Sequence, residues 1–172
     1  MNVIQRLTTQ TKDCFSWINK LVDAIPFDKW EHTPDVLQTN VSWQVGHLVV
    51  SLYYHSILVI TGHQADILRE LPLKRYAELF TAGSPLTVVG QFDPVQLRKH
   101  LGLMQERSIM VIESLPAGRL DDALEPVLPA HPVAKNKFEA LDWNIKHTMW
   151  HCGQLGLLKR VINGRMEFGL KI

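Results

Sequence analysis

Apolar residues recur at helical spacing in three long stretches of the chain, and a fourth long stretch reads as helix. In residues 2 to 24, Val3, Ile4, Leu7, Cys14, Phe15, Ile18, Leu21 and Val22 fall on one side of the helical period, and Pro26 stops the run. A second stretch keeps Val45, Leu48, Val49, Leu52, Tyr53, Ile57 and Leu58 in phase up to about Thr61. Ser42 stands at its start as the expected N-cap and Gly62 at its end as the C-cap. The third opens on Asp93-Pro94, a cap followed by proline at the first helical position. It carries Leu97, Leu101, Met104, Val111, Ile112 and Leu115 on its apolar face, and Pro116 and Gly118 end it. The fourth runs from roughly Asn136 to Ile162 and closes on Asn163-Gly164.

Between these stretches lie long connections with proline in each. Residues 26 to 40 read as loop. Residues 63 to 92 are broken by Pro72, Gly83, Pro85 and Gly90 and read mostly as a crossing connection, with one short helix near Lys74 to Phe80. Residues 115 to 137 contain four prolines. The tail from Arg165 to Ile172 stays open between a strand-like and a packing segment. No stretch carries the alternation of a strand. The expected fold class is all-α: a four-helix bundle with long crossover connections, one domain over residues 1 to 172. Connections of that length can run the length of a bundle, so a simple up-down order is not forced.

Composition narrows the class. With 172 residues, 46% hydrophobic and 20% charged, the chain can bury a core of its own. The net charge is +1, and the densest basic group (Lys135, Lys137, Lys146) is interrupted by apolar and acidic positions. That excludes the basic stripe of a nucleic-acid partner. The longest apolar run, "HLVVSLYYHSILVITGH", is short for a membrane span and has histidines at both ends, so a buried helix is expected and no membrane partner. The N-terminus lacks the continuous apolar core of a signal peptide. Two cysteines, Cys14 and Cys152, make no disulfide framework and no CxxC, which leaves a reducing, cytoplasmic compartment as the expectation.

The candidate chemistry lies in "NIKHTMWHCGQLGLLKRVI". On a helix, His147 and His151 project from one side, a turn apart. Of the eight histidines, His32 and His131 sit in linkers, His63 ends the second helix, and His100 lies among Arg98 and Lys99 on what reads as a polar face. His47 differs, because it lies on an apolar stripe between Gly46 and Leu48. An imidazole there must satisfy two ring nitrogens away from water, and a metal ion satisfies one while fixing the tautomer of the other. His55, eight residues on, reads as a hydrogen-bonded core histidine. Trp43 and Trp150 read as packing at the core or bundle end, Cys14 as core and Cys152 as a small buried hydrophobe, and Tyr53-Tyr54 as one inside and one outside.

The pattern W-x-x-x-H opening the second helix, followed by H-x-x-x-H-x-G-Q on the fourth, resembles the DinB-like superfamily, which includes bacillithiol- and mycothiol-dependent transferases. The matching residues are Trp43, His47, His147, His151, Gly153 and Gln154. The resemblance implies a four-helix bundle holding one divalent metal ion, typically zinc or nickel, on His47, His147 and His151. Many members are dimers, which makes a homodimer the expectation. Three neutral imidazoles leave open positions on the ion, as in catalytic rather than structural sites. A small-molecule substrate is then expected, a low-molecular-weight thiol for a thiol-S-transferase or water for a hydrolase. A non-catalytic metal-binding module for stress response or interaction remains the alternative. Gln154, one turn beyond His151, is the candidate to orient an imidazole.

Overall fold

Four long helices and two short ones make up the computed structural model, which describes residues 1–167. They are α1 (Val3–Asp23), α2 (Val41–Thr61), α3 (Ala65–Glu70), α4 (Leu73–Ala77, continued by a π turn Glu78–Ala82), α5 (Pro94–Ser114) and α6 (Lys137–Asn163). Among the described residues there is no strand, only an isolated bridge between Ala123 and Asn136. The fold is an all-α helical bundle, as the periodicity predicts. The tail on which the sequence stays undecided lies largely outside the described residues.

The helix starts are written in side chains. Asn2 and Gln5 form a reciprocal capping box. Asp93 accepts from the amide of Val95, and Asn136 from that of Glu139. For α2 the cap is Asn40 and not Ser42: the Asn40 side-chain oxygen accepts from the Trp43 amide at 2.8 Å, and Ser42 is buried inside the first turn. Both residue types cap well, and the loop geometry selects the earlier one. Gly62 and Gly164 end α2 and α6 with φ of +80° and +75°, a backbone that favours glycine.

The connection from 63 to 92 is more helical than its prolines suggest. Pro72 precedes α4 and Pro85 opens a short 3₁₀ turn, so both start helical turns instead of breaking them. Tyr76 and Phe80 on this segment are wholly buried. Tyr76 also explains a second departure. His100 is not on a polar face; it is 8% exposed, and its Nδ1 is 2.6 Å from the Tyr76 hydroxyl. Lys137, one of the densest basic group, is buried with its ammonium on the Ile60 carbonyl at 2.6 Å and Glu125 at 2.9 Å.

Helix α1 packs on α6 and α5, and α2 packs on α5 and α6. Going round the bundle the order is α1, α5, α2, α6, so α1 and α2 lie on one diagonal, α5 and α6 on the other, and α2 and α5 are neighbours. The diagonal steps from α1 to α2 and from α5 to α6 leave α2 beside α6. Helix α2 has the length and apolarity of a membrane span, but 78% of that window is buried in the bundle, which is where a core helix puts such a surface. One π turn, Tyr54–Leu58, interrupts it and contains His55. Such insertions re-aim the side chains they carry.

Candidate metal centre

Because α2 and α6 are neighbours, His47 meets the pair that α6 presents. Ring centroids lie 5.4 Å from His47 to His147, 4.8 Å from His47 to His151, and 4.6 Å from His147 to His151. The Nε2 atoms of His147 and His151 are 3.3 Å apart, and one ligand atom from each of the three residues falls within 4.8 Å of the others. Two nitrogens bound at about 2.0–2.1 Å to one tetrahedral ion are ~3.3 Å apart, so small ring rotations suffice to share it. Among the described residues this is the group of three or more His, Cys, Asp or Glu that could hold a metal ion.

The second nitrogens decide which lone pairs are available. His47 donates from Nδ1 to the Phe80 carbonyl at 2.7 Å. Gly46 makes that approach feasible, because a Cβ there would stand 2.4 Å from the Phe80 ring. The Trp43 ring stacks on His47 at 4.9 Å and 8°, and its Nε1 donates to the Gly83 carbonyl. His151 donates from Nδ1 to the side-chain oxygen of Gln44 at 2.5 Å. In both residues the proton at Nδ1 leaves Nε2 as a lone pair, the tautomer that a metal ligand needs. The Nδ1 of His147 is buried without a partner.

Among the described residues Gln154 makes no hydrogen bond to an imidazole. It holds Gln44 instead: the Gln44 amide nitrogen donates to Gln154 Oε1 at 2.7 Å and to Thr39 Oγ1 at 2.9 Å, which turns the Gln44 oxygen toward His151. Sequence reading missed Gln44, although a polar residue one turn before His47 in so apolar a helix was a signal. Gly153 meets nothing where a Cβ would stand, so packing does not require it. Trp150 is exposed, paired edge-on with Trp143. Tyr53 is buried and Tyr54 partly so. His55 and His131, set outside the site by their positions, come to its edge: His55 lies 5.2 Å from His147 and hydrogen-bonds His131.

No carboxylate joins the three histidines in that group. Asp142 pairs with Lys146, and Glu139 accepts from the Lys135 amide. His151 is buried, while His47 and His147 are partly exposed, so the cluster reaches solvent on one side. Burial and neighbouring imidazoles push His147 down to about 4 and His151 to about 3, and burial also lowers His47. All three are neutral donors at pH 7.

The shifts carry a sign for the metal-free protein. The unfolded chain protonates these imidazoles below about 6.5, the folded one only near 4 and 3, so stability is complete above 6.5 and is lost as pH falls toward the folded values. The urea midpoint of metal-free protein should therefore climb between pH ~5 and ~7, above the carboxylate range. A flat midpoint over that interval would contradict the burial of these rings.

No curated protein matches the chain. The three-histidine cluster fits a metal-binding protein. A family model of the DinB superfamily matches residues 10–155, a span that runs from α1 to just beyond His151 and includes all three histidines, and the chain belongs to that superfamily.

Proposed function

We propose that His47, His147 and His151 hold one divalent ion, zinc or nickel, and that the protein is a metal-dependent enzyme transferring a low-molecular-weight thiol to a small electrophile. The observation that carries this reading is the division of labour on the rings. Phe80 and Gln44 hold the Nδ1 protons of His47 and His151, and the Nε2 lone pairs of those rings are left for an ion. Neutral imidazoles without a carboxylate suit zinc or nickel and not magnesium or calcium. Bound there, the ion would act as a Lewis acid with positions left for small ligands.

The chain's own residues supply positioning. The Phe80 carbonyl, the Gln44 amide and the Trp43 ring keep the imidazoles from rotating away. The exposed side of His47 and His147 gives a small molecule its approach. The thiol has to come from outside. Cys14 and Cys152 are buried, and burial pushes their thiols up to about 11 and about 12, so neither offers a thiolate near neutral pH.

The test is metal analysis of protein purified without a nickel column, followed by conjugation of a small thiol to an electrophile. About one ion per chain and thiol-dependent product are expected. Absence of stoichiometric metal overturns the centre. Stoichiometric metal with ester hydrolysis and no conjugate would move the reading to a hydrolase, and metal with neither activity to a non-catalytic module.

A further inference from the structure

Beside the three clustered histidines stands a second pair whose protons run the other way. His131 Nδ1 receives two backbone amides, from Ala134 at 2.8 Å and Val133 at 3.2 Å. A nitrogen that accepts twice carries no proton, so neutral His131 bears its hydrogen on Nε2. That Nε2 lies 2.9 Å from His55 Nδ1, which must then accept, leaving the His55 hydrogen on Nε2. Two main-chain amides thus set the tautomer of one ring, and that ring sets the next. Burial lowers both imidazoles, which keeps them neutral.

The polarity contrasts with that of His47 and His151, which hold protons at Nδ1 and lone pairs at Nε2. His55 Nε2 offers an N–H instead, so in this tautomer it is not a fourth metal ligand. His55 is 7% exposed, its ring stands 5.2 Å from that of His147, and its Nε2 makes no hydrogen bond among the described residues. The pair is held in place: the Tyr54 ring stacks on His131 at 5.6 Å and meets His55 edge-on, and its hydroxyl donates to the Pro129 carbonyl. A donor with no acceptor among the described residues, on a largely buried ring beside a metal cluster open on one side, is placed to serve a ligand that carries lone pairs.

We infer that His55 is a ligand-binding residue, donating from Nε2 to the acceptor atom of an anionic ligand at the open side of the centre, and that His131 positions it. The inference rests on the metal reading above. Thiolate sulfur and carboxylate oxygen share the required chemistry: negative charge and a free lone pair.

Full-length protein loaded with cobalt(II) and titrated with sodium azide, followed by visible absorption, tests it. Cobalt should bind at one per chain in the unsubstituted protein, in His55→Phe and in His55→Gln. Azide affinity should fall roughly tenfold in His55→Phe, the scale of one charge-assisted hydrogen bond. His55→Gln keeps an N–H donor and should recover part of the loss. Nitrogen-15 spectra of metal-free protein should find the proton of His55, and of His131, on Nε2. In His131→Phe the azide affinity should fall several-fold with cobalt still bound. Unchanged azide affinity in cobalt-loaded His55→Phe, or a His55 proton on Nδ1, overturns the inference. If the unsubstituted protein takes up no cobalt, the underlying metal reading fails and this inference fails with it, whereas a failure confined to azide leaves that reading standing.

Discussion

His147→Ala is expected to abolish stoichiometric metal binding while leaving the helices in place. With this ring gone, two nitrogens from different helices remain, and two imidazoles do not hold a catalytic zinc or nickel site that normally takes three protein ligands. The fold does not depend on the ring. His147 is partly exposed, and its Nδ1 is a buried atom without a partner, so truncation removes an unsatisfied group as well as a donor. Alanine is also the best helix former. The core that carries the bundle lies elsewhere, in residues such as Trp30, Val45, Leu48, Tyr76 and Leu97, none more than 1% exposed. Metal content per chain and far-ultraviolet circular dichroism read the two halves of the prediction. Full occupancy in the variant would remove His147 from the centre.

Gln44→Leu should lower metal affinity by roughly 10- to 100-fold with the three ligands intact, the usual scale for losing the partner that orients a ligating histidine. Gln44 is wholly buried and spends its side chain on three bonds, to His151, Gln154 and Thr39. Leucine fills similar space but leaves the His151 Nδ1 proton without an acceptor, a cost of about 1–3 kcal/mol that falls on the metal-binding tautomer. Gln154→Ala is the control. Gln154 is exposed and acts only through Gln44, so its removal should cost much less. Competition with a chromophoric chelator measures both. Equal losses in the two variants would show that Gln44 has no special hold on His151.

Much of this is legible in the sequence. Apolar spacing made α1, α2 and α5 legible, and the long run from Asn136 to the Asn163-Gly164 stop made α6 so. The His147/His151 pair was legible because one turn of helix relates the two residues, a local fact. His47 stood out as a polar ring on an apolar stripe, and its link to the pair came from the family resemblance. Local signals failed where two residues could serve the same role. Asn40 and Ser42 both cap well, and Pro72 and Pro85 can begin a helical turn as readily as break one.

The chain by itself determined the four long helices, most of their apolar positions and which histidines share a turn, because these depend on neighbours within a few positions. Only the tertiary structure decided the rest. The placement of α2 beside α6 follows from the packing order round the bundle, and it brings His47 and Gln44 to His151 across more than a hundred residues. The Phe80 carbonyl that holds His47 is main chain, present at every residue and so invisible in the sequence; a close approach at Gly46 selects it. His55 and His131 face each other because a π turn re-aims one and a loop carries the other, and the proton on each is set by amides whose direction exists only once the backbone has folded.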